Sequence, residues 1–385
     1  MKRAHIVTFC LSTTILLFIP FFLHPEEIKF SGGNDYDYSV GCYYFGYWFR
    51  KPMGRDVPMD LLVGRWNERK PLLGWYLDTP YTMKWEVKRA LRGGIHFFAF
   101  LWYYLEEDTA STDTLRDSAS IHSSLNGAFR SFLATNDVYK MKFCVVYTNH
   151  DHFGVPPSQW DRYATYWAKL MLRDDYFKIA LKGGEKRLPL FIVWSPSSLQ
   201  EHWRGQQGGA SEAIRRLRQI ARRVGVGEIA IGGCIDHSNP EVWDEGYDII
   251  TGYNFHSSGG VPPGKVGKYD YLAKGHLSIW DSMTTLGKPV IPVITSGWDP
   301  RPWPGTAKGS PYYPDRTPKK FKIFCRLARD WIGSNEKSVV VPKTVLIYAW
   351  NELGEGGYIL PTVGEGYGYL KAIKEVFGKE NSSRK

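Results

Sequence analysis

Two glutamates separated by two residues form the clearest chemical motif of this chain. Glu352 and Glu355 lie in the segment 348–358, which follows an apolar run and contains three glycines. Side chains three residues apart are neighbours when the backbone turns as in a helix, and glycine permits the turn that such a loop needs. The spacing by itself fits either two carboxyl groups that converge on a substrate or a surface loop with two solvated glutamates.

A converging pair of carboxyl groups is what glycoside hydrolysis requires. One protonated carboxyl gives its proton to the leaving oxygen, and the other carboxylate acts as base or nucleophile. Burial and mutual repulsion can separate the two pKa values, so that one group is an acid and the other a base at the same pH. We therefore predict Glu352 and Glu355 as the catalytic residues.

Eight short apolar runs supply the elements that would position this pair. Helical patterns separate most of them, which predicts parallel strands that are buried on both faces. The predicted fold is α/β, a single (β/α)8 TIM barrel over residues 40–378. The runs are Val40–Trp48, Ile95–Trp102, Met141–Thr148, Leu188–Trp194, Ile229–Ile235, Asp248–Tyr253, Pro289–Thr295 and Thr344–Trp350.

Capping signals mark the helices between the runs. Thr79 precedes Pro80, which predicts an N-cap followed by proline in the first turn, and the glycine pair 93–94 ends that helix. The stretch Asp161–Lys182 is predicted as a helix that ends at a second glycine pair. Between the fifth and sixth runs there is room only for a helix of one or two turns.

Aromatic and polar residues follow most of the runs. Catalytic and binding groups of such barrels lie where strands end and βα loops begin. The density of Trp, Tyr, Asp, His and Glu exceeds what any barrel shows where its chain leaves the core, so we predict a site. The predicted substrate-binding residues at these positions are Tyr47, Trp102, Tyr103, His150, Asp151, Tyr253, Trp298, Asp299 and Asn351.

Histidines next to aspartates raise the question of a metal. His150 and His152 flank Asp151, and Asp236 precedes His237. Imidazole and carboxylate suit several divalent ions, but the sequence assigns no third ligand. Hydrogen bonding at a sugar subsite is therefore the favoured role of the first cluster, and a polar loop that of the second. We predict no metal and no cofactor.

The motif around the glutamates carries a family resemblance. Trp350-Asn351-Glu352, followed by Glu355-Gly356 after a final strand, resembles the signature of glycoside hydrolase family 99, the endo-α-mannosidases and endo-α-mannanases, and of the wider WbsX-like group associated with polysaccharide loci. Three further segments agree, and the likeness extends over residues 40–377. These segments are 71–76 with 94–103, 297–303 and 365–373.

The resemblance implies a substrate-assisted mechanism and a set of subsite residues. In the family, the glutamate that matches Glu352 deprotonates the sugar 2-hydroxyl, which attacks its own anomeric carbon to give a 1,2-anhydro sugar. The one that matches Glu355 acts as general acid and then as base. The resemblance also implies that Trp102, Tyr253 and Arg301 line subsites. Mannoside-cleaving members carry Trp-His between the glutamates, where this chain has Leu-Gly, so the resemblance implies the catalytic class rather than a mannose substrate.

Composition is consistent with a carbohydrate partner. The 15 Trp, 24 Tyr and 20 Phe residues could cover the apolar faces of sugar rings or fill a large core. The formal charge of +10 comes from scattered Lys and Arg residues without a nucleic-acid motif, which indicates solvated helix faces and no nucleic-acid partner. An anionic polysaccharide remains a candidate partner. The five cysteines include no Cys-x-x-Cys pair, so neither a zinc site nor a disulfide framework is predicted.

The N-terminus resembles an export signal. Lys2 and Arg3 precede an uncharged, mostly apolar stretch over residues 6–23, and two glutamates follow it. Its length is at the lower limit for crossing a bilayer, so residues 1–25 are predicted as a cleaved signal peptide or a retained membrane anchor. Residues 26–39 are predicted as a linker and 379–385 as a polar tail. The expected location of the barrel is extracytoplasmic, and the sequence predicts no oligomeric state.

The sequence leaves three functions open. The first is a glycoside hydrolase of the family-99-like type that acts on a polysaccharide or oligosaccharide. The second is an enzyme of surface-polysaccharide biosynthesis, such as a WbsX-like glycosyltransferase. The third is a barrel that binds carbohydrate without catalysis.

Overall fold

Eight parallel strands form a barrel with helices around it. The computed structural model of the protein describes residues 37–46, 61–104, 124–181, 184–235 and 240–378. The predicted (β/α)8 barrel is confirmed, and each of the eight predicted runs overlaps one barrel strand, although the first and last strands begin two residues and one residue before their runs. These strands are β1 Tyr38–Tyr44, β2 Phe97–Trp102, β3 Lys142–Tyr147, β5 Leu188–Val193, β6 Ala230–Cys234, β7 Ile249–Thr251, β8 Val293–Thr295 and β9 Lys343–Tyr348.

Main-chain hydrogen bonds close the barrel between its sixth and seventh strands. The other neighbouring pairs follow the order β7-β6-β5-β3-β2-β1-β9-β8, which contains all eight barrel strands. Between β7 and the segment before β8, the nitrogen of Ile250 donates to Pro289, and that of Ile291 donates to Ile250. The closed order brings the carboxyl ends of all eight strands to one rim, where β1 and β9 are direct neighbours.

Helices cover the outside of the barrel. The first begins as predicted, because Thr79 caps it by accepting a hydrogen bond from the nitrogen of Thr82, and Gly94 continues the chain beyond its end at φ +86°. The short helix expected between β6 and β7 is a 3-10 helix, Pro240–Glu245. The α-helices are α1 Pro80–Arg92, α2 Ser124–Thr135, α3 Trp160–Met171, α4 Pro196–His202, α5 Gly209–Val224, α6 Tyr269–Thr284, α7 Pro304–Gly309, α8 Pro318–Ser334 and α9 Gly368–Phe377.

One predicted helix is too long. The helix expected over Asp161–Lys182 ends at Met171, and the chain continues into β4 (Lys178–Ile179), which pairs antiparallel with β5. Tertiary contacts of Tyr176 prevent the helix from continuing. The Tyr176 hydroxyl donates to the carbonyl of Leu190 and accepts from the nitrogen of Val145. These bonds to two strands outweigh the helical pattern of the sequence.

Much of the aromatic content fills the core between strands and helices. Phe98, Phe100 and Trp102 alternate along β2 and face the helix layer, where they contact aromatic residues of α2 and α3. The four cysteines that the structure describes are buried and form no disulfide bond with one another. The composition therefore reflects core packing as well as any binding surface.

Several predicted segments lie outside the described residues. These are the N-terminal residues 1–25, the linker up to residue 36, the tail 379–385, and the site candidates Tyr47, Asp236 and His237. Within the described ranges, no helix is both long and apolar enough to cross a membrane.

Candidate active site

A short hairpin at the end of β9 carries the first glutamate. Its strands are β10 (Asn351–Glu352) and β11 (Gly357–Tyr358), and Glu352 pairs with Gly357. A β-carbon at Gly357 would lie 2.1 Å from the Tyr348 ring, so the hairpin needs glycine where it crosses the end of β9. Glu355 lies in the turn of this hairpin, three residues beyond Glu352, which brings both side chains to the rim of the barrel.

Each glutamate is bound by its own tyrosine. The hydroxyl of Tyr253, just after β7, donates to Oε1 of Glu352 over 2.6 Å. The hydroxyl of Tyr348, the last residue of β9, donates to Oε2 of Glu355. Glu352 is buried with only 5% of its surface exposed, and Glu355 is half-buried. The two carboxyl groups are thus held at fixed places, and the second is the more accessible one.

Burial raises the pKa of both glutamates, and the charge of Glu355 raises that of Glu352 further. The pKa of Glu352 lies well above its ordinary value because the carboxyl is desolvated and the charge of Glu355 is close. Desolvation raises the pKa of Glu355 to about 7, and the hydrogen bond from Tyr348 opposes that shift. Because the two groups interact, their protons belong to the pair rather than to either residue alone. Near neutral pH, the pair can hold a proton and offer a carboxylate.

The three side chains of the motif Trp350-Asn351-Glu352 form hydrogen bonds with three different parts of the barrel. The indole nitrogen of Trp350 donates to the buried Glu86 of α1 over 3.0 Å. The side-chain amide of Asn351 donates to the carbonyl of Phe45 and accepts from its nitrogen, which ties the hairpin to the end of β1. Glu352 then faces Tyr253 across the barrel. The motif therefore fixes the glutamate through both of its neighbours.

Two buried arginines hold the backbone of the glutamate loop. Nη1 of Arg69 donates to the carbonyls of Leu353, Gly354 and Asp299. Nη1 of Arg316 donates to the carbonyls of Ser296, Gly356 and Tyr358, and its Nη2 to Glu365. In addition, the nitrogen of Asp299 donates to the carbonyl of Glu355 over 2.6 Å. These bonds leave the loop between the glutamates little freedom, because charged donors bind carbonyls more strongly than neutral ones do.

Aromatic residues predicted to bind substrate gather beside the glutamates. The Tyr253 ring lies 4.9 Å from that of Tyr348 and 5.8 Å from that of Trp194. His150 lies 4.6 Å from Trp194 and 6.3 Å from Tyr103. The charges of both glutamates contribute to the raised pKa of Tyr103, although burial is the main cause. Tyr103, His150 and Tyr253 therefore belong to one cluster with the carboxyl pair.

Trp102 is not part of this cluster, and the prediction that it lines a subsite is wrong. Its ring is fully buried, lying 5.1 Å from Trp167 and 5.4 Å from Tyr163, both on α3. Alternation along β2 explains the error, since successive side chains of a strand point to opposite faces. Tyr103 points into the barrel, so its neighbour points to the helices.

The other candidates bind protein groups. The Trp298 ring stacks on His256 at 4.4 Å, and the carbonyl of the exposed Asp151 lies 3.2 Å from Nε2 of His202. The buried carboxylate of Asp299 accepts from Arg301 through both oxygens. Asn351, as described above, binds the main chain of β1. These contacts give structural roles to all of these residues except Arg301, which is 41% exposed.

Comparison with known proteins identifies the family. The family model described as "Glycosyltransferase WbsX" matches residues 60–373. The chain belongs to this WbsX family. The predicted resemblance is thereby confirmed. No curated protein matches the sequence.

Solved structures share the barrel of this WbsX chain. A glycoside hydrolase-like protein is 16% identical with a TM-score of 0.59, covering 90% of this chain and 96% of the other. A family 99 endo-α-mannosidase from Bacteroides thetaiotaomicron is 15% identical with a TM-score of 0.55, covering 89% and 96%. A second structure of this enzyme, in complex with bis-tris-propane, is 15% identical with a TM-score of 0.54, and the match covers 87% of this chain and 95% of the other. At this identity the likeness concerns the fold.

Four residues of the WbsX chain that shape the site were not predicted from the sequence. Arg69, Arg316 and Glu86 act through contacts with residues distant in the sequence, and no motif marks them. Trp303 packs on Gly354 so closely that a β-carbon there would lie 2.3 Å from the indole nitrogen. For Trp303, the sequence contained one indirect signal, which is that Gly354 stands where mannoside-cleaving members of the family carry a larger side chain.

The described residues contain no cluster of three or more metal-binding side chains. Of the histidines considered for a metal, His150 contacts Trp194, while His152 is exposed.

Proposed function

We propose that the protein is a glycoside hydrolase in which Glu352 and Glu355 carry out acid/base catalysis on a polysaccharide or oligosaccharide. The observation that carries the proposal is the pair of tyrosine-bound carboxyls with raised pKa values at the carboxyl ends of the barrel strands. A carboxyl with a pKa near 7 can give a proton to a leaving oxygen at neutral pH.

The experiment is hydrolysis of a glycan panel by wild type and by separate Glu352→Gln and Glu355→Gln variants. Loss of an acid or base typically lowers turnover by about a hundredfold to ten-thousandfold. Glu201→Gln, on exposed α4, is the matched control and should keep full turnover. Full turnover by both site variants would show that the pair is not catalytic. α-Mannosides are the first members of the panel, because structurally similar proteins are described as endo-α-mannosidases.

We further propose the substrate-assisted route, in which Glu352 removes the proton of the sugar 2-hydroxyl and Glu355 protonates the leaving oxygen. In this step the 2-oxygen forms a bond to the anomeric carbon as the glycosidic bond breaks. Water, deprotonated by Glu355, then attacks the anomeric carbon and opens the 1,2-anhydro ring, while the protonated Glu352 returns its proton to the 2-oxygen. A substrate with a 2-deoxy sugar at the cleaved position should bind but not react. Cleavage of that substrate at the normal rate would contradict the route.

The description of the family supports a second candidate function, transfer of sugar from an activated donor. Calorimetry with common nucleotide sugars discriminates the two proposals, because a hydrolase has no need to bind a nucleotide. Binding of a donor, together with transfer to an acceptor glycan, would favour the transferase. Absence of binding by a folded protein would favour the hydrolase.

We also propose an extracytoplasmic location, for which the charge and hydropathy pattern of residues 1–25 is the support. Fractionation of cells that express the full chain tests it. The barrel should be found outside the cytoplasm, and deletion of residues 2–25 should retain it inside. A cytoplasmic full-length protein would contradict the proposal.

A further inference from the structure

A polar cavity borders the loop that carries the glutamates. Its volume is about 300 Å³, and its lining includes Gly356 and Tyr358 of that loop but neither Glu352 nor Glu355. Arg69, Arg301 and Arg316 also line it. Three guanidinium groups around one small cavity are unusual for a site that accommodates only neutral groups, since each needs a partner or water.

Arg301 is the guanidinium that remains available to a ligand. Its Nε and Nη2 both donate to Asp299 over 2.7 Å, and among the described residues its Nη1 has no hydrogen-bond partner. The guanidinium carbon lies 5.1 Å from the centre of the Trp66 ring and 4.9 Å from that of Tyr312. Asp299 is itself bound by Arg69. Arg301 therefore presents a free edge in a fixed orientation, which lowers the entropic cost of binding.

The three arginines of the cavity lining face three carboxylates that are unevenly distributed among them. Asp299, with 8% of its side chain exposed, is shared by Arg69 and Arg301. Glu365 pairs with Arg316, so the buried carboxylate of Asp299 is the one that Arg69 and the partly exposed Arg301 have to share. Glu68 is also in the lining, but its side chain is 56% exposed and lies 3.9 Å from Arg69, where water screens it.

We propose that this cavity is a subsite for a sugar residue with an anionic substituent, a carboxylate or a sulfate or phosphate ester, which Nη1 of Arg301 binds. The inference rests on the proposed function, because the ligand would be part of the same glycan. Asp299 connects the two sites, since its carboxylate holds Arg301 and its nitrogen donates to the carbonyl of Glu355. A glycan anchored at Arg301 is thereby held beside the glutamate loop.

The test is calorimetric titration of the Glu355→Gln protein, which prevents hydrolysis during the measurement. The probes are tetragalacturonic acid, its fully methyl-esterified and therefore neutral form, and a sulfated carrageenan tetrasaccharide with its desulfated counterpart. Arg301→Met removes the charge. Arg215→Met removes the same charge at an exposed position of α5, where Arg215 pairs with Glu212 and does not line the cavity, and is the control. Melting temperatures show that each variant is folded.

At least one acidic probe should bind more tightly than its neutral counterpart. Arg301→Met should weaken that binding by about tenfold to a hundredfold, as expected for a lost charged hydrogen bond. Arg215→Met should leave it unchanged. The probe that binds identifies a carboxylate or a sulfate as the preferred group. Equal losses in the two variants would instead indicate attraction by the overall positive charge.

A second variant keeps the proposal testable if Arg301→Met fails to fold. Glu68→Gln removes the exposed carboxylate at the rim and should tighten binding of the acidic probe by about twofold to fivefold, because it removes a screened repulsion. Failure of every acidic probe to bind the Glu355→Gln protein, or equal binding of acidic and neutral probes, would overturn the proposed subsite. Hydrolysis by wild type is measured separately, so a failed subsite leaves the assignment of the glutamates intact.

Discussion

Replacing Glu86 with glutamine tests whether a buried carboxyl behind the glutamate motif controls the pH dependence of stability. Glu86 is fully buried on α1, where it accepts hydrogen bonds from Tyr44, Tyr76 and Trp350. Desolvation raises its pKa from 4.5 to about 7. A carboxyl whose pKa is raised by folding stabilises the protein fully below its unfolded pKa, and that contribution is lost as pH rises through the folded pKa.

The difference between the two pKa values corresponds to about 3 kcal/mol of unfolding free energy. Wild type should lose this amount as pH rises from about 4.5 to above 7. Glutamine cannot ionise, and its amide can still pair with the same three partners: its oxygen accepts from Tyr76 and Trp350, and its nitrogen donates to the Tyr44 hydroxyl if that hydroxyl turns to accept. The stability of Glu86→Gln relative to wild type should therefore increase by about 3 kcal/mol between pH 4.5 and pH 8.5.

The assay is urea unfolding of both proteins at pH 4.5, 6.5 and 8.5, followed by tryptophan fluorescence and circular dichroism. Coincident transitions by the two probes establish the two-state condition. Glu352 and Glu355 titrate in both proteins, so their contribution cancels in the difference. Glu201→Gln, an exposed change, should show no pH-dependent difference. A difference between Glu86→Gln and wild type that stays constant across the three pH values would refute the reasoning.

Three further changes probe the loop. Tyr348→Phe removes the hydrogen bond that lowers the pKa of Glu355, so the pH–rate profile should show an apparent pKa about one unit higher; an unshifted profile would contradict this. Gly354→Ala should lower the unfolding free energy by about 1–3 kcal/mol through its clash with Trp303, and adding Trp303→Ala should restore most of it in urea titrations. Arg316→Met should cost about 3–5 kcal/mol in the same assay, because three carbonyls lose their charged donor and the half-buried Glu365 keeps only its hydrogen bond from Tyr369. A loss below about 1 kcal/mol would exclude a stabilising role.

The barrel could be predicted because strands buried on both faces must be apolar throughout. The start of α1 could be predicted for a local reason, since Thr79 and Pro80 act within one turn. The end of α3 could not, because it depends on the hydroxyl of Tyr176 reaching two strands that are adjacent only in the folded barrel.

The same distinction applies to the site. Glu352 and Glu355 are close in sequence, and their spacing suggested a pair. Glu86 and Trp350 are 264 residues apart, and nothing local in α1 marks a buried carboxyl. Trp102 was misplaced for a different reason: the end of a strand predicts which rim a residue approaches, while alternation decides whether its side chain faces the barrel or the helices.

The anchoring of the glutamate loop through its carbonyl groups has an evolutionary consequence. Arg69 and Arg316 bind main-chain oxygens of residues 353–358, and every residue type supplies such an oxygen. Substitutions of Leu353 can therefore accumulate without changing the path of the backbone, whereas a side chain in place of Gly354 also requires a change at Trp303. A lineage that keeps these two arginines can exchange the side chains that contact the substrate while Glu352 and Glu355 stay in place. We expect relatives that share both arginines to differ at the two residues that separate the glutamates, and those with a side chain in place of Gly354 to lack the tryptophan that stands here at position 303.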